Sequence, residues 1–191
     1  MTKSYSPVIA GDDPLGSDET GIVQAARQDP KAFGALYLRY VEQVYRYLYS
    51  KLDNVHEAED LTAQTFLAAF ESFEILRNDD HFAAWLFTIA RNKAMDHFRK
   101  NKQRETLHEP ADIPAEDDPL SSVIRSEQAL ALSKSIRNLT EEEQEMLRLR
   151  FLAEMSYVQI GRILHRNEGA IKKAIYRLLA RLQSQLEAVN E

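Results

Sequence analysis

The side chains best suited to do chemistry in this sequence are cations, and they come in two runs. Lys172, Lys173, Tyr176 and Arg177 share one side of a helical pattern whose opposite side is Ile171, Ile175, Leu178 and Leu182. The second run spans residues 91–104, where Arg91, Lys93, Arg99, Lys100, Lys102 and Arg104 face a single acid, Asp96. Such groups pair with phosphates and hydrogen-bond to base edges; they do not make or break bonds. Between the runs, residues 105–119 carry Glu105, Glu109, Asp112, Glu116, Asp117 and Asp118 with no Lys or Arg. Two basic patches parted by an acidic connector suggest two contacts with one polyanion, the alternative for each run alone being a solvated helix face. Bond-making chemistry has no comparable footing. His56, His81, His97, His108 and His165 lack metal-ligand spacing, Asp96 and His97 are adjacent and so diverge on a helix, and no glycine-rich phosphate loop is present. No enzyme activity, metal or cofactor is expected.

These cations need elements to hold them. From Ser156 to Arg181 two helical patterns flank a tight break. Ser156 with Gln159 is a capping-box start, and Tyr157, Ile160, Ile163 and Leu164 follow at helical spacing. His165-Arg166 forms the turn, and Asn167 caps the next helix. The layout is that of a helix-turn-helix with a basic recognition helix, which a generic helical hairpin could mimic.

The rest of the chain reads as helix throughout. With 191 residues, 44% of them hydrophobic, it can build one domain or two small ones. It has no cysteine, and its formal net charge of −6 speaks against a simple DNA-coating protein. It shows neither a membrane-spanning apolar run nor a secretory signal, so a soluble, cytoplasmic protein with no direct membrane insertion is expected. Residues 1–17 read as a disordered tail. Asp18 caps a short helix to about Gln28, and Asp29-Pro30 opens the next, from Lys31 to about Leu52. A third helix runs from Val55 to about Phe73, with an apolar face of Leu61, Phe66, Leu67, Phe70 and Phe73. Arg77 to His81 is a loop. A fourth helix begins near His81, with Phe82, Trp85, Leu86 and Ile89 as its stripe and the basic cluster in its second half. Residues 105–119, with three prolines, form a linker. Helices from Leu120 to about Asn138, from Thr140 to about Leu152, and through the helix-turn-helix to about Val189 complete an all-α, two-domain architecture with boundaries at 18–104 and 120–191.

Several segments taken together resemble a known family. Leu139-Thr-Glu-Glu-Glu-Gln-Glu, Tyr157-Val-Gln-Ile and Gly169-Ala-Ile-Lys-Lys-Ala-Ile-Tyr-Arg resemble the promoter-reading C-terminal domain of bacterial sigma factors. Phe33-Gly-Ala-Leu-Tyr, Glu57-Ala-Glu-Asp-Leu-Thr and Trp85-Leu-Phe-Thr-Ile-Ala-Arg-Asn-Lys-Ala-Met-Asp-His-Phe-Arg resemble their main domain. Over about residues 19–188 the chain is similar to the extracytoplasmic-function (ECF) group. The resemblance implies a non-enzymatic subunit that binds core RNA polymerase, through the β′ clamp helices and the β subunit, and directs it to a limited set of promoters, as in stress responses. Asp60, Leu61, Gln64, Thr65 and Phe66 would dock on polymerase, with Leu61 or Phe66 also serving as domain core. Asn78, Asp79, Asp80 and His81, followed by Arg91, Asn92, Lys93 and Arg99, would engage the −10 element, where a base is flipped from the separated strand. Lys172, Lys173, Tyr176 and Arg177, with Arg166 and Asn167 at the turn, would read the −35 element. The acidic linker would thread through polymerase, and an anti-sigma factor is a possible partner.

The chain also departs from the family's usual pattern. Ala63-Gln64 stands where Gln-Glu is common, His165 where Gly is common, Arg166 where an apolar residue is common, and Ala174 where an Arg is common. His tolerates the left-handed conformation the turn needs. The competing reading is a stand-alone helix-turn-helix regulator that binds DNA without joining polymerase.

Overall fold

The computed structural model describes residues 16–105 and 127–187. The N-terminal unit contains α1 (Gly16–Gln28), α2 (Phe33–Leu52), α3 (Val55–Glu71) and α4 (Phe82–Glu105). The C-terminal unit contains α5 (Glu127–Arg137), α6 (Glu141–Leu147), α7 (Tyr157–Leu164) and α8 (Glu168–Glu187). No strand occurs among the described residues.

Each helix of the N-terminal unit turns a spaced apolar face inward. On α2 that face is Phe33, Leu36, Tyr40, Val44, Tyr47 and Leu48, at the three- and four-residue intervals of an amphipathic helix. The helix stops where Asp53 adopts a left-handed conformation (φ 51°). Asn54 then accepts the Glu57 backbone N–H at 3.1 Å and opens α3. Rings fill the space between these helices. Phe33 meets Phe70 and Phe73 edge-on at 5.2 and 5.3 Å, and Phe82 lies 5.6 Å from Tyr40. Edge-to-face contacts of this kind suit the quadrupoles of the rings. A buried carboxylate, Glu19, ties three helices together by accepting from the Tyr40 hydroxyl on α2 and from the Ala83 backbone N–H on α4. The Tyr40 phenol is pushed up strongly, first by burial and then by the Glu19 charge.

The C-terminal unit has an aliphatic core: Leu149, Met155, Ile160, Ile163, Ile171, Ile175, Leu178 and Leu182 are all buried. Thr140 and Glu143 form the expected reciprocal cap at the start of α6. The helix expected to continue to Leu152 changes at Arg148 into a single π turn, closed by Ala153 N–H donating to the Arg148 carbonyl at 3.0 Å.

Three boundaries and one apolar stripe differ from the sequence reading. Gly16 and Ser17, assigned to the tail, belong to α1, so Asp18 lies inside that helix and is not its cap. The third helix closes at Glu71, and Phe73 begins a separate 3-10 turn. The inward stripe of α4 is Phe82, Leu86, Phe87, Ala90 and Ala94, with Trp85 and Ile89 only half-buried. The stripe therefore continues into the basic half through alanines, which carry too little hydrophobicity to signal a face. Finally, α4 runs to Glu105, the first residue of the expected linker. The remaining linker residues, most of the expected tail, the helix start at Leu120 and the chain end at Val189 lie outside the described residues.

The two units pack against each other. α7 lies alongside α4, and the π turn meets α2. Glu145 of α6 reaches into the seam, accepting from the Tyr47 hydroxyl at 2.5 Å and pairing with Lys51 at 2.6 Å and Arg91 at 3.4 Å.

Candidate nucleic-acid and polymerase interfaces

The helix-turn-helix depends on one close approach. α7 begins with a Ser156–Gln159 capping box and ends at His165, which adopts the left-handed conformation (φ 54°). The chain then folds back so tightly that a Cβ on Gly161 would lie 2.5 Å from the Arg166 carbonyl oxygen. Only glycine fits there. The sequence reading did not single out Gly161, although a glycine at mid-helix before a turn is a legible sign of close backbone approach. Asn167 accepts the Ala170 N–H at 2.8 Å and starts α8.

α8 buries Ile171, Ile175, Leu178 and Leu182 and presents Lys172, Lys173, Tyr176 and Arg177 outward. Around Tyr157 an aromatic and cationic surface continues. The Tyr157 ring lies 6.4 Å from Tyr176, with Arg150 4.7 Å and Lys172 5.9 Å from its centre. Burial raises the Tyr157 phenol, the Arg150 cation pulls it the other way, and Tyr176 pushes it up again. Arg166 pairs with Glu142, while Arg181 pairs with Glu143 at 2.8 Å. Glu143 is held below the usual glutamate range by the Thr140 backbone N–H first, with Arg181 adding to it.

The −10 candidates are dispersed. The Asn78–His81 segment is a 3-10 turn at its end, and Asp79 is paired with Arg27 of α1 at 2.8 Å. Arg27 also donates to the Leu76 carbonyl and lies over the Phe73 ring. It thus anchors the loop, a role that no local pattern around Arg27 signals. Asn78 and His81 line a cleft with Trp85 and Thr88 of α4. Arg91 turns toward Glu145, Arg99 pairs with Asp96 at 3.0 Å, and Asn92 is exposed with Lys93 half-buried beside it. His97 pairs with Glu57 of α3 at 3.1 Å.

The polymerase candidates divide by burial. Leu61, Thr65 and Phe66 are in the core, at 5%, 0% and 4% exposure. Both Leu61 and Phe66 are therefore core, where the sequence reading gave one of them that role. Asp60 and Gln64 are exposed and bonded to each other at 2.6 Å. Leu67 and Phe70, read as part of the inward face, are exposed instead. Asp60, Gln64 and Leu67 thus share the outer surface of α3.

Among the described residues no cluster of acids and histidines could hold a metal, and no described helix is long and apolar enough to cross a membrane.

A helix-turn-helix with an outward cationic face, joined to a second helical unit around a cation-rich helix, defines a DNA-binding protein of sigma type. The Sigma-70 region 2 family matches residues 36–104, and Sigma-70, region 4 matches residues 129–182. ECF RNA polymerase sigma factor SigW of Bacillus subtilis is 31% identical over 179 residues, covering 86% of this chain and 94% of its own length. ECF RNA polymerase sigma factor BldN of Streptomyces coelicolor is 39% identical over 167 residues, covering 84% of this chain. The match spans 62% of BldN's length. The fold is that of solved sigma factors. RpoE of Bartonella quintana, solved with the anti-sigma factor NepR, has a TM-score of 0.65 at 23% identity, covering 82% of this chain and 98% of its own. CnrH, solved with the cytosolic domain of CnrY, has a TM-score of 0.63 at 22% identity, covering 89% and 97%. The chain belongs to the ECF family of RNA polymerase sigma factors.

Proposed function

We propose that this chain joins core RNA polymerase and brings it to a limited set of promoters, catalysing nothing itself. The C-terminal unit reads the −35 element through Lys172, Lys173, Tyr176 and Arg177. The N-terminal unit engages the −10 element through the cleft beside Asn78, His81 and Trp85 and through Arg91, Asn92, Lys93 and Arg99. Asp60, Gln64 and Leu67 of α3 dock on the β′ clamp helices, and the linker passes toward the β subunit. The protein acts in the cytoplasm, and an anti-sigma factor, of the kind bound to the solved RpoE, restrains it.

One observation carries this reading: the recognition-helix cations stand on the outward face of α8, directly opposite its buried aliphatic face. That arrangement fits a helix laid into a major groove, which admits one helix. The stand-alone regulator shares that support, but it leaves the family match over residues 36–104 without a purpose. Run-off transcription with core polymerase on a genomic promoter library tests the proposal. Initiation at discrete sites is expected. Its absence at every site, with polymerase active under another sigma factor, would refute it.

A further inference from the structure

The seam between the units holds a feature that promoter recognition does not explain. Glu145 is a carboxylate with only 4% of its side chain exposed, yet it belongs to the C-terminal unit while most of its partners belong to the other. The Tyr47 hydroxyl donates to one of its oxygens at 2.5 Å, and Arg91 reaches the same oxygen at 3.4 Å. The Lys51 ammonium pairs with the other oxygen at 2.6 Å, its own side chain 7% exposed. A buried ammonium of this kind is costly without a partner. Burial raises the Tyr47 phenol well above its ordinary value, and the Glu145 charge adds to this, so it remains a donor.

Three donors from α2 and α4 thus converge on one anion. Two flanking pairs close the seam on either side: Lys51 with Glu141 at 3.1 Å, and Arg46 with Glu154 at 2.8 Å. α7 lies along α4, with Leu164 beside Arg91 and Met95, and Arg162 beside Trp85 and Thr88. In this arrangement Arg91 is engaged by the unit that carries the recognition helix, while Asn92 and Arg99 stay exposed. Asp60 and Gln64 on α3 remain uncovered.

We propose that Tyr47, Lys51 and Arg91 form a DNA-phosphate site that Glu145 occupies in the free chain, so that this site opens to DNA only when the two units part. This rests on the function proposed above. The site takes a phosphate because two cations and a donating hydroxyl converge on an oxyanion. When the units part, Glu145 keeps Arg148 of its own unit, 3.8 Å away. Lys51 and Arg91 then present their charge to a nucleic-acid backbone. The contact is with phosphate, so it is independent of sequence and falls with salt.

The chain has no cysteine, so spin labels at His56→Cys on α3 and Gln183→Cys on α8 report the spacing of the units in the full-length protein. Electron–electron distance measurements on the free chain are expected to give one narrow, short population. Glu145→Lys and Lys51→Glu should each broaden and lengthen it, and the double charge swap should restore it. Restoration separates opening from misfolding. Without polymerase, binding of a mixed-sequence single-stranded DNA of about 20 nucleotides should tighten roughly tenfold in Glu145→Lys. Tyr47→Phe added to that variant should take back about threefold, with no change in charge. Glu187→Lys, the same charge change on an exposed residue of α8, should have little effect. A broad, long distribution in the parent chain, unchanged distances in Glu145→Lys, or an equal gain from Glu187→Lys would overturn the proposal. Run-off transcription by the parent chain reads the underlying function separately, so a failed latch with active initiation leaves the sigma assignment intact.

Discussion

α4 and α8 each carry a run of cations, yet they use that charge in opposite ways. α8 buries one aliphatic stripe and leaves Lys172, Lys173, Tyr176 and Arg177 facing out. α4 is buried through Phe82, Leu86, Phe87, Ala90 and Ala94. Two of its cations are engaged: Arg91 with Glu145 of α6, and Arg99 with Asp96 of α4 itself. The charge of α8 faces out, while α4 is a core element with charge at one end. A cation run in a sequence therefore fixes a helix's charge but not its availability. Availability is decided by carboxylates that arrive from elsewhere in the fold, here from α6.

The cores differ in the same sense. The N-terminal unit is packed with rings, the C-terminal unit with aliphatic side chains. Phe87→Ala should give the largest effect. It removes a fully buried ring that meets Tyr47 edge-on at 5.5 Å, a loss of about 3–5 kcal/mol. Chemical denaturation should show the N-terminal unit unfolding first; a loss under 1 kcal/mol would mean that the ring core is not what holds the unit together.

Gly161→Ala should come next, since its methyl group must displace the Arg166 carbonyl. A cost of about 2–3 kcal/mol, confined to the C-terminal unit, is expected by calorimetry. An unperturbed melt would show that the turn is looser than its geometry. Lys173→Ala and Arg177→Ala should leave stability within about 0.5 kcal/mol. Each should weaken −35 duplex binding by about 1–3 kcal/mol if it contacts a base edge. A loss equal on all sequences would instead make them phosphate contacts.

Tyrosine ionisation gives the gentlest test. Tyr40 and Tyr47 are both shifted upward from 10.0, chiefly by burial. A raised folded value contributes stability that is present below about pH 10 and is lost as pH rises toward the folded value. Alkaline spectrophotometric titration should find both ionising only as the N-terminal unit unfolds. Normal titration in the native state would contradict their burial.

Much of this was legible beforehand. The caps at Thr140, Ser156 and Asn167 are written in single residues and their spacing, so their helices start where expected. The outward set on α8 followed from periodicity alone. Other features depend on partners distant in sequence. Arg27 is 52 residues from Asp79, and Glu145 is 98 from Tyr47. No local pattern announces such pairs. The apolar face on α3 was read too broadly, because periodicity cannot say how wide a groove the neighbouring helices leave. Phe66 fits under Tyr37, while Leu67, one residue on, projects outward.

The central claim is that binding polymerase and reading the promoter belong to different surfaces of one chain. Run-off transcription and core-polymerase affinity, measured side by side for Asp60→Lys and for Lys173→Ala with Arg177→Ala, test it most directly. Asp60→Lys should weaken the complex with core polymerase and lower initiation at every promoter alike. The double α8 variant should bind polymerase as the parent chain does and lose initiation only where a −35 element is required. If the α8 variant also failed to bind polymerase, or Asp60→Lys changed promoter choice at unchanged affinity, the division of labour between the two surfaces would be wrong.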